Sequence, residues 1–170
     1  PVLFRPFHEN TGGWFWWGAA TTDKETYRAL FQYTQDYLAS KGVHNFIYVY
    51  SPNGPLTSEE EYMDRYPGDD CVDIVAFDYY DDYNTYPAEY SGEFVDNLKK
   101  TCQVVKNIAD AKGKVAAISE TGVRVMKADG SDNEGILVKG NPIAGHNWYK
   151  QVNQVAVDTG MPYFLLWANF

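Results

Sequence analysis

Short apolar runs alternate along the chain with longer segments whose apolar positions recur at helical spacing. Val2 to Phe7 reads as a strand, as do Phe46 to Tyr50, Val72 to Phe77, Lys114 to Ser119 and Tyr163 to Trp167. The capping box Thr22-x-x-Glu25 predicts a helix start, Tyr27, Leu30, Phe31, Tyr37 and Leu38 form that helix's apolar stripe, and Gly42 stops it. Thr57 to Glu60 is a second capping box, opening a short acidic helix that ends before Pro67-Gly68. Phe94, Leu98, Cys102, Val105 and Ala109 share one face of a helix closed by Gly113. A Gly/Asp/Asn-rich loop from Val123 to about His146 leads to a last helix with Trp148, Val152 and Val155 inward and Gly160 beyond its end.

Strictly alternating strands and helices imply a parallel sheet with right-handed crossovers, either doubly wound or part of a (β/α)8 barrel. A complete barrel takes eight strands and about 250 residues. Five strands in 170 residues therefore read as one incomplete domain, 1–170, whose first residue already stands at the start of a strand. Such a sheet has two open edges, which a partner chain or self-association is expected to cover.

Composition narrows the function. The chain is 45% hydrophobic and 22% charged, as in one globular unit. A net charge of −9 without a Lys/Arg cluster excludes a surface that tracks nucleic-acid phosphates. No apolar run approaches the ~20 residues of a membrane-spanning helix, and no leader opens the chain. Cys71 and Cys102 read as packed thiols, with a disulfide between them as the alternative. His44 and His146 lack a metal-ligand pattern. Asp81, Asp82, Asp129, Asp132 and Glu134, with the run DGSDNEG, lack the spacing of a calcium loop. Gly12-Gly13 is a turn, and no dinucleotide fingerprint follows a strand. No cofactor and no metal are expected.

Two glutamates carry the chemistry. Glu9, in RPFHENTGGWFWWG, and Glu120, in VAAISETGVR, each end a short apolar segment and lead into a Gly-containing turn. Carboxyl groups at the C-terminal ends of parallel strands point into the mouth of a sheet or barrel, where ligands bind. Aromatics crowd the same places: Trp14, Phe15, Trp16 and Trp17 follow Glu9, Tyr79 and Tyr80 follow the third strand, and Trp167 stands near the end. Flat rings suit sugar faces, so a carbohydrate is the leading substrate class.

The motifs RPFHE, WFWWG, FDYY, ISETG and LLW, in this order, closely resemble glycoside hydrolase family 26, whose best-known members are endo-β-1,4-mannanases. The resemblance implies a (β/α)8 barrel that hydrolyses β-mannan internally with retention, the acid/base glutamate lying on its fourth strand and the nucleophile on its seventh. Those roles fall on Glu9 and Glu120, and the chain then supplies strands four to eight. Retention requires two carboxyl groups about 5 to 5.5 Å apart, one attacking the anomeric carbon while the other protonates the leaving oxygen. A wall of indoles such as Trp14 is expected to raise the pKa of Glu9 by desolvation.

By the same resemblance His8 helps define the sugar site, Asp78 and Tyr80 form a D-x-Y motif whose tyrosine hydrogen-bonds the nucleophile, and Trp14 and Trp167 flank the scissile linkage. Arg5 is expected behind Glu9. Without the resemblance, His8 reads equally well as structural, and Trp16 and Trp17 read as packing residues. Within the enzyme class the alternatives are a β-1,3-xylanase or a mixed-linkage β-glucanase; outside it, a non-catalytic fragment or sugar-binding relic. A polymeric substrate implies action outside the cell, in the periplasm or at the cell surface.

Overall fold

The computed structural model describes residues 1–83, 93–125 and 147–167. Five strands form one parallel sheet in sequential order: β1 (Val2–Phe4), β2 (Phe46–Tyr50), β3 (Ile74–Tyr83), β4 (Val115–Val125) and β5 (Phe164–Leu166). Between them lie α1 (Lys24–Ser40), α2 (Glu59–Met63), a 3-10 turn (Asp69–Cys71), α3 (Glu93–Lys112) and α4 (Trp148–Thr159). A doubly wound sheet reverses its strand order at a switch point, whereas this order runs one way throughout. The helices therefore pack on one face and the sheet curls as part of a (β/α)8 barrel.

Strand alternation sorts the side chains into two layers. Tyr48, Tyr50, Val75, Phe77, Ala116 and Ile118 join Phe31, Leu98, Val105 and Val152 in the larger core, between sheet and helices. On the concave face Val49, Ile74, Ala76 and Ala117 form a second, smaller cluster flanked by Ile47 and Tyr163. Continuing that face towards the strands' C-terminal ends leads to Ser51, Asp78 and Ser119, all buried. The concave face is thus apolar below and polar at its mouth.

Local chemistry sets the element ends. β1 stops earlier than the apolar run, because Pro6 has no N–H for the ladder and Phe7 turns into the left-handed region at φ 53. The cap of α1 is Asp23, one residue past the expected box, and it accepts the Thr26 N–H at 2.8 Å. Thr22 instead donates its hydroxyl to the Trp16 carbonyl at 2.7 Å. The same offset of one appears at α2, capped by Ser58, where Glu61 reaches back to the Thr57 N–H. Glycines at φ 64 and 71 close α3 and α4, at Gly113 and Gly160.

β3 and β4 run well beyond Phe77 and Ser119, up to the pair Tyr83 and Val125. Polar residues interrupt their apolar pattern there, but the backbone ladder continues, and Tyr79 and Val123 still pack on the larger core. β4 thus takes up the start of the segment expected as loop from Val123. The remainder of that segment, with Asp129, Asp132, Glu134 and His146, lies outside the described residues. Both thiols are free and buried, without a disulfide. Burial raises the pKa of both, that of Cys102 to about 12, so neither is a thiolate at neutral pH.

Candidate active site

Four consecutive strand ends contribute to one cluster. Phe77 pairs with Ile118 but Asp78 pairs with Glu120, so Ser119 is an extra residue in β4. β5 registers the same insertion, Ile118 pairing with Phe164 and Thr121 with Leu166. Regular alternation would send Glu120 to the helix side, with Ile118. The bulge turns both Ser119 and Glu120 towards the mouth.

Arg5, just past β1, lies between two acidic partners. Its Nη1 donates to Asp78 Oδ2 at 2.6 Å, and its Nη2 forms an ion pair with Glu120 Oε1. The residue expected behind Glu9 thus pairs with the other glutamate. Tyr80 donates to the second oxygen of Glu120, Oε2, at 2.6 Å. Burial, and then this bond to Glu120, raise the Tyr80 pKa, so the phenol remains a donor. Both oxygens of Glu120 are held, and the residue is only 7% exposed.

Glu9 lies in a tight backbone turn. Phe7 and Glu9 both have positive φ, 53 and 52, a conformation that costs non-glycine residues about 1 kcal/mol or more. The Glu9 N–H donates to the Ser51 carbonyl at 2.8 Å, and its own carbonyl accepts from Gly12 at 3.0 Å. Trp14 donates from Nε1 to Glu9 Oε2 at 2.8 Å. The indole is 61% exposed and supplies a directional donor, which differs from the expected desolvating wall. Its ring rests on Gly12, where a β-carbon would come within 2.4 Å of Cη2. After burial, Glu120 and Asp78, the charge of Glu9 adds to the causes that raise the Tyr80 pKa.

His8 is half-buried, its ring 5.0 Å from that of Phe15, and its carbonyl accepts from Trp17 Nε1 at 2.8 Å. Burial and then the Arg5 charge lower its pKa against the pull of Glu120, favouring neutral imidazole. His8, Asp78 and Glu120 present ligand atoms within 4.8 Å of one another. A cation there would meet the Arg5 guanidinium, which already bridges the two carboxylates. Asp78 of the D-x-Y motif is 1% exposed and directs its oxygens to Arg5, Ser51 and Ser119. Trp167 is 59% exposed beyond β5, its N–H bound to the Thr121 carbonyl. Trp17 packs as expected, stacked on Phe15 at 4.4 Å, whereas Trp16 is 63% exposed.

Sequence reasoning missed Ser51, Ser119 and Arg65. The two serines share one signal: each directly follows the apolar run of a strand, in FIYVYS and VAAIS. Arg65, buried at 5% exposure, lies with its guanidinium 4.8 Å from the Tyr27 ring and donates to the carbonyls of Trp17 and Thr22. It clamps the loop that carries Trp14.

A curled parallel sheet with a glutamate beyond one strand end and a second glutamate bracketed by arginine and tyrosine is the arrangement of a barrel-type glycoside hydrolase. The chain belongs to glycosyl hydrolase family 26, whose model matches residues 1–169. It is 32% identical over 177 residues to a mannan endo-1,4-β-mannosidase of Bifidobacterium adolescentis, matching 100% of this chain and 16% of that one. Its fold matches the catalytic domain of the Bacillus sp. JAMB-750 endo-β-1,4-mannanase with a TM-score of 0.83 and 40% identity, covering 100% of this chain and 41% of that one. A modular endo-β-1,4-mannanase from Cellulomonas fimi gives a TM-score of 0.81 and 36% identity over 100% of this chain and 35% of its own. The chain thus spans less than half the length of these relatives.

Proposed function

We propose that this chain carries the catalytic pair of a retaining endo-β-1,4-mannanase, with Glu120 as nucleophile and Glu9 as acid/base. The observation that carries this reading is the bracket on Glu120: Arg5 on one oxygen and Tyr80 on the other fix the carboxylate's orientation and give it a cationic partner. A nucleophile must be held in near-attack geometry, and this one is held at both ends. Glu9 accepts from the exposed indole of Trp14, a neutral donor, in keeping with a group that changes protonation state between the two steps of a double displacement. The relatives named above supply the substrate class. Action outside the cell follows from the size of that polymer.

Val2, Leu3 and Leu165, on the outer strands of the described sheet, are 47%, 52% and 44% exposed. This supports a further chain segment, or a second polypeptide, packed against those edges in the active form.

The test is product analysis of the chain with β-1,4-manno-oligosaccharides, mixed-linkage β-glucan and β-1,3-xylan, with Glu120→Ala as the control. Cleavage of the manno-oligosaccharides alone, lost in the control, supports the reading. Cleavage of another backbone replaces mannan as the substrate, and activity that survives in Glu120→Ala overturns the assignment of the nucleophile.

A further inference from the structure

Asp78 Oδ1, Ser51 Oγ and Ser119 Oγ form a closed triangle beneath the mouth of the sheet. Its edges are 2.8 Å from Ser51 to Asp78, 2.6 Å from Ser119 to Asp78, and 2.7 Å between the two serines. All three are hydrogen-bond lengths, and every hydrogen bond needs a hydrogen. The two hydroxyls bring two hydrogens between them. Arg5 adds none to the triangle: it lies on the other carboxyl oxygen, Oδ2, and stands 3.5 Å from the Ser51 oxygen. The Phe77 carbonyl, 3.1 Å from Ser119 Oγ, competes for one of the two. With an ionised Asp78, at least one edge is a bare contact between oxygen lone pairs. A carboxylic acid brings the third hydrogen and closes the ring.

We propose that Asp78 is protonated in the resting protein and that Ser51 and Ser119 are the residues that hold its proton in place. Charge balance leads to the same state independently. Among the described residues, the groups facing Asp78 are Arg5 and His8 from the segment after β1, Ser51 after β2, Tyr80 on its own strand, Ser119 and Glu120 on β4, and Tyr163 ahead of β5. Among them Arg5 is the one cation, because His8 is shifted towards its neutral form. One guanidinium between two buried carboxylates leaves an uncompensated negative charge, and a proton on the more buried of the two removes it. Asp78 is that one, and burial pushes its pKa up to about 7 against the opposing pull of Arg5 and the two hydroxyls.

If Glu120 is the nucleophile, as read above, a neutral Asp78 leaves Arg5 with a single anionic partner. Asp78 is then a positioning residue: its protonated state keeps the guanidinium committed to Glu120, and its ionisation divides that commitment.

The experiment is a pH titration of the aspartate carboxyl carbons by 13C NMR on the intact chain, with the Asp78 resonance assigned by its absence in Asp78→Asn. The expected result is a carboxylic-acid shift at pH 5 and a midpoint near 7, where ordinary aspartates titrate at about 3.9. Glu120→Gln, which leaves Arg5 to Asp78 alone, should lower that midpoint by roughly one pH unit or more. An Asp78 carboxyl already ionised at pH 5, or a midpoint unmoved by Glu120→Gln, overturns the proposal. The readout requires no substrate, so it stands or falls separately from the assignment of mannanase activity.

Discussion

The ring of Tyr80 lies across Gly122, its partner in the β3–β4 ladder, so closely that a β-carbon on the glycine would sit 3.2 Å from Cε1. On its other side that β-carbon would meet the Trp167 carbonyl at 2.8 Å, a backbone atom that cannot swing away. Gly122→Ala should therefore displace Tyr80 from Glu120 without emptying any part of the core. Tyr80→Phe removes the same hydrogen bond directly. Both variants should lose about 10- to 100-fold in kcat on manno-oligosaccharides, the worth of one hydrogen bond to a charged group, with a smaller change in KM. Steady-state kinetics on the two variants, with circular dichroism as the folding control, checks this; a Gly122→Ala enzyme of normal kcat would dissociate the glycine from Tyr80 placement.

Trp14 offers a test at the other carboxylate. Trp14→Phe keeps a ring over Gly12 but removes the donor to Glu9, and Gly12→Ala moves the whole indole. Each should slow turnover about 10-fold on substrates with poor leaving groups and much less on activated aryl glycosides, whose departure needs little proton transfer. Equal losses on both substrate types would assign Trp14 to sugar binding alone.

Asp78 predicts a pH dependence of stability whose sign follows from proton counting. Its native pKa of about 7 lies above the ordinary 3.8, so between these values the native state binds more protons than the unfolded state. Stability contributed at this site is therefore greatest below the unfolded pKa and declines as pH rises towards 7. Asp78→Asn removes the decline: relative to wild type, the variant should gain on the order of 2 to 4 kcal/mol between pH 4 and pH 8. Urea denaturation of both proteins at the two pH values measures the difference.

Arg65 tests whether the aromatic loop needs its clamp. Among the described residues no carboxylate pairs with this buried arginine, and its partners are two carbonyls and the Tyr27 ring. Arg65→Met should cost about 2 to 4 kcal/mol, from the unpaired carbonyls and the lost cation–π contact. It should also loosen Trp14, which would appear as increased iodide quenching of tryptophan fluorescence.

Alternation of apolar runs made the parallel sheet legible, and strand ends with polar residues marked Glu9, Tyr80 and Glu120. The strand lengths were less legible: β3 and β4 continue through DYYDDY and ETGVRV, where Tyr79 and Val123 still pack on the core but polar residues break the hydrophobic pattern. Helix starts were displaced by one because Thr22 and Thr57 are recruited by neighbouring groups, leaving Asp23 and Ser58 to cap. Arg5 was placed behind the nearer glutamate because sequence proximity favours Glu9. The curl of the sheet instead brings Arg5 to Glu120 across the concave face. Ser51 and Ser119 carried no strong signal, since a serine after a strand is ordinarily a solvated turn residue.

The extra residue in β4 makes the reading frame of that strand part of the site. Ser119 shifts everything after it by one position relative to β3 and β5, so Glu120 reaches the mouth by chain length and not by any property of its own side chain. Removing Ser119 would keep the glutamate in the chain and turn its carboxylate towards the helices. Anyone transplanting this strand into another barrel has to carry the insertion as well as the glutamate.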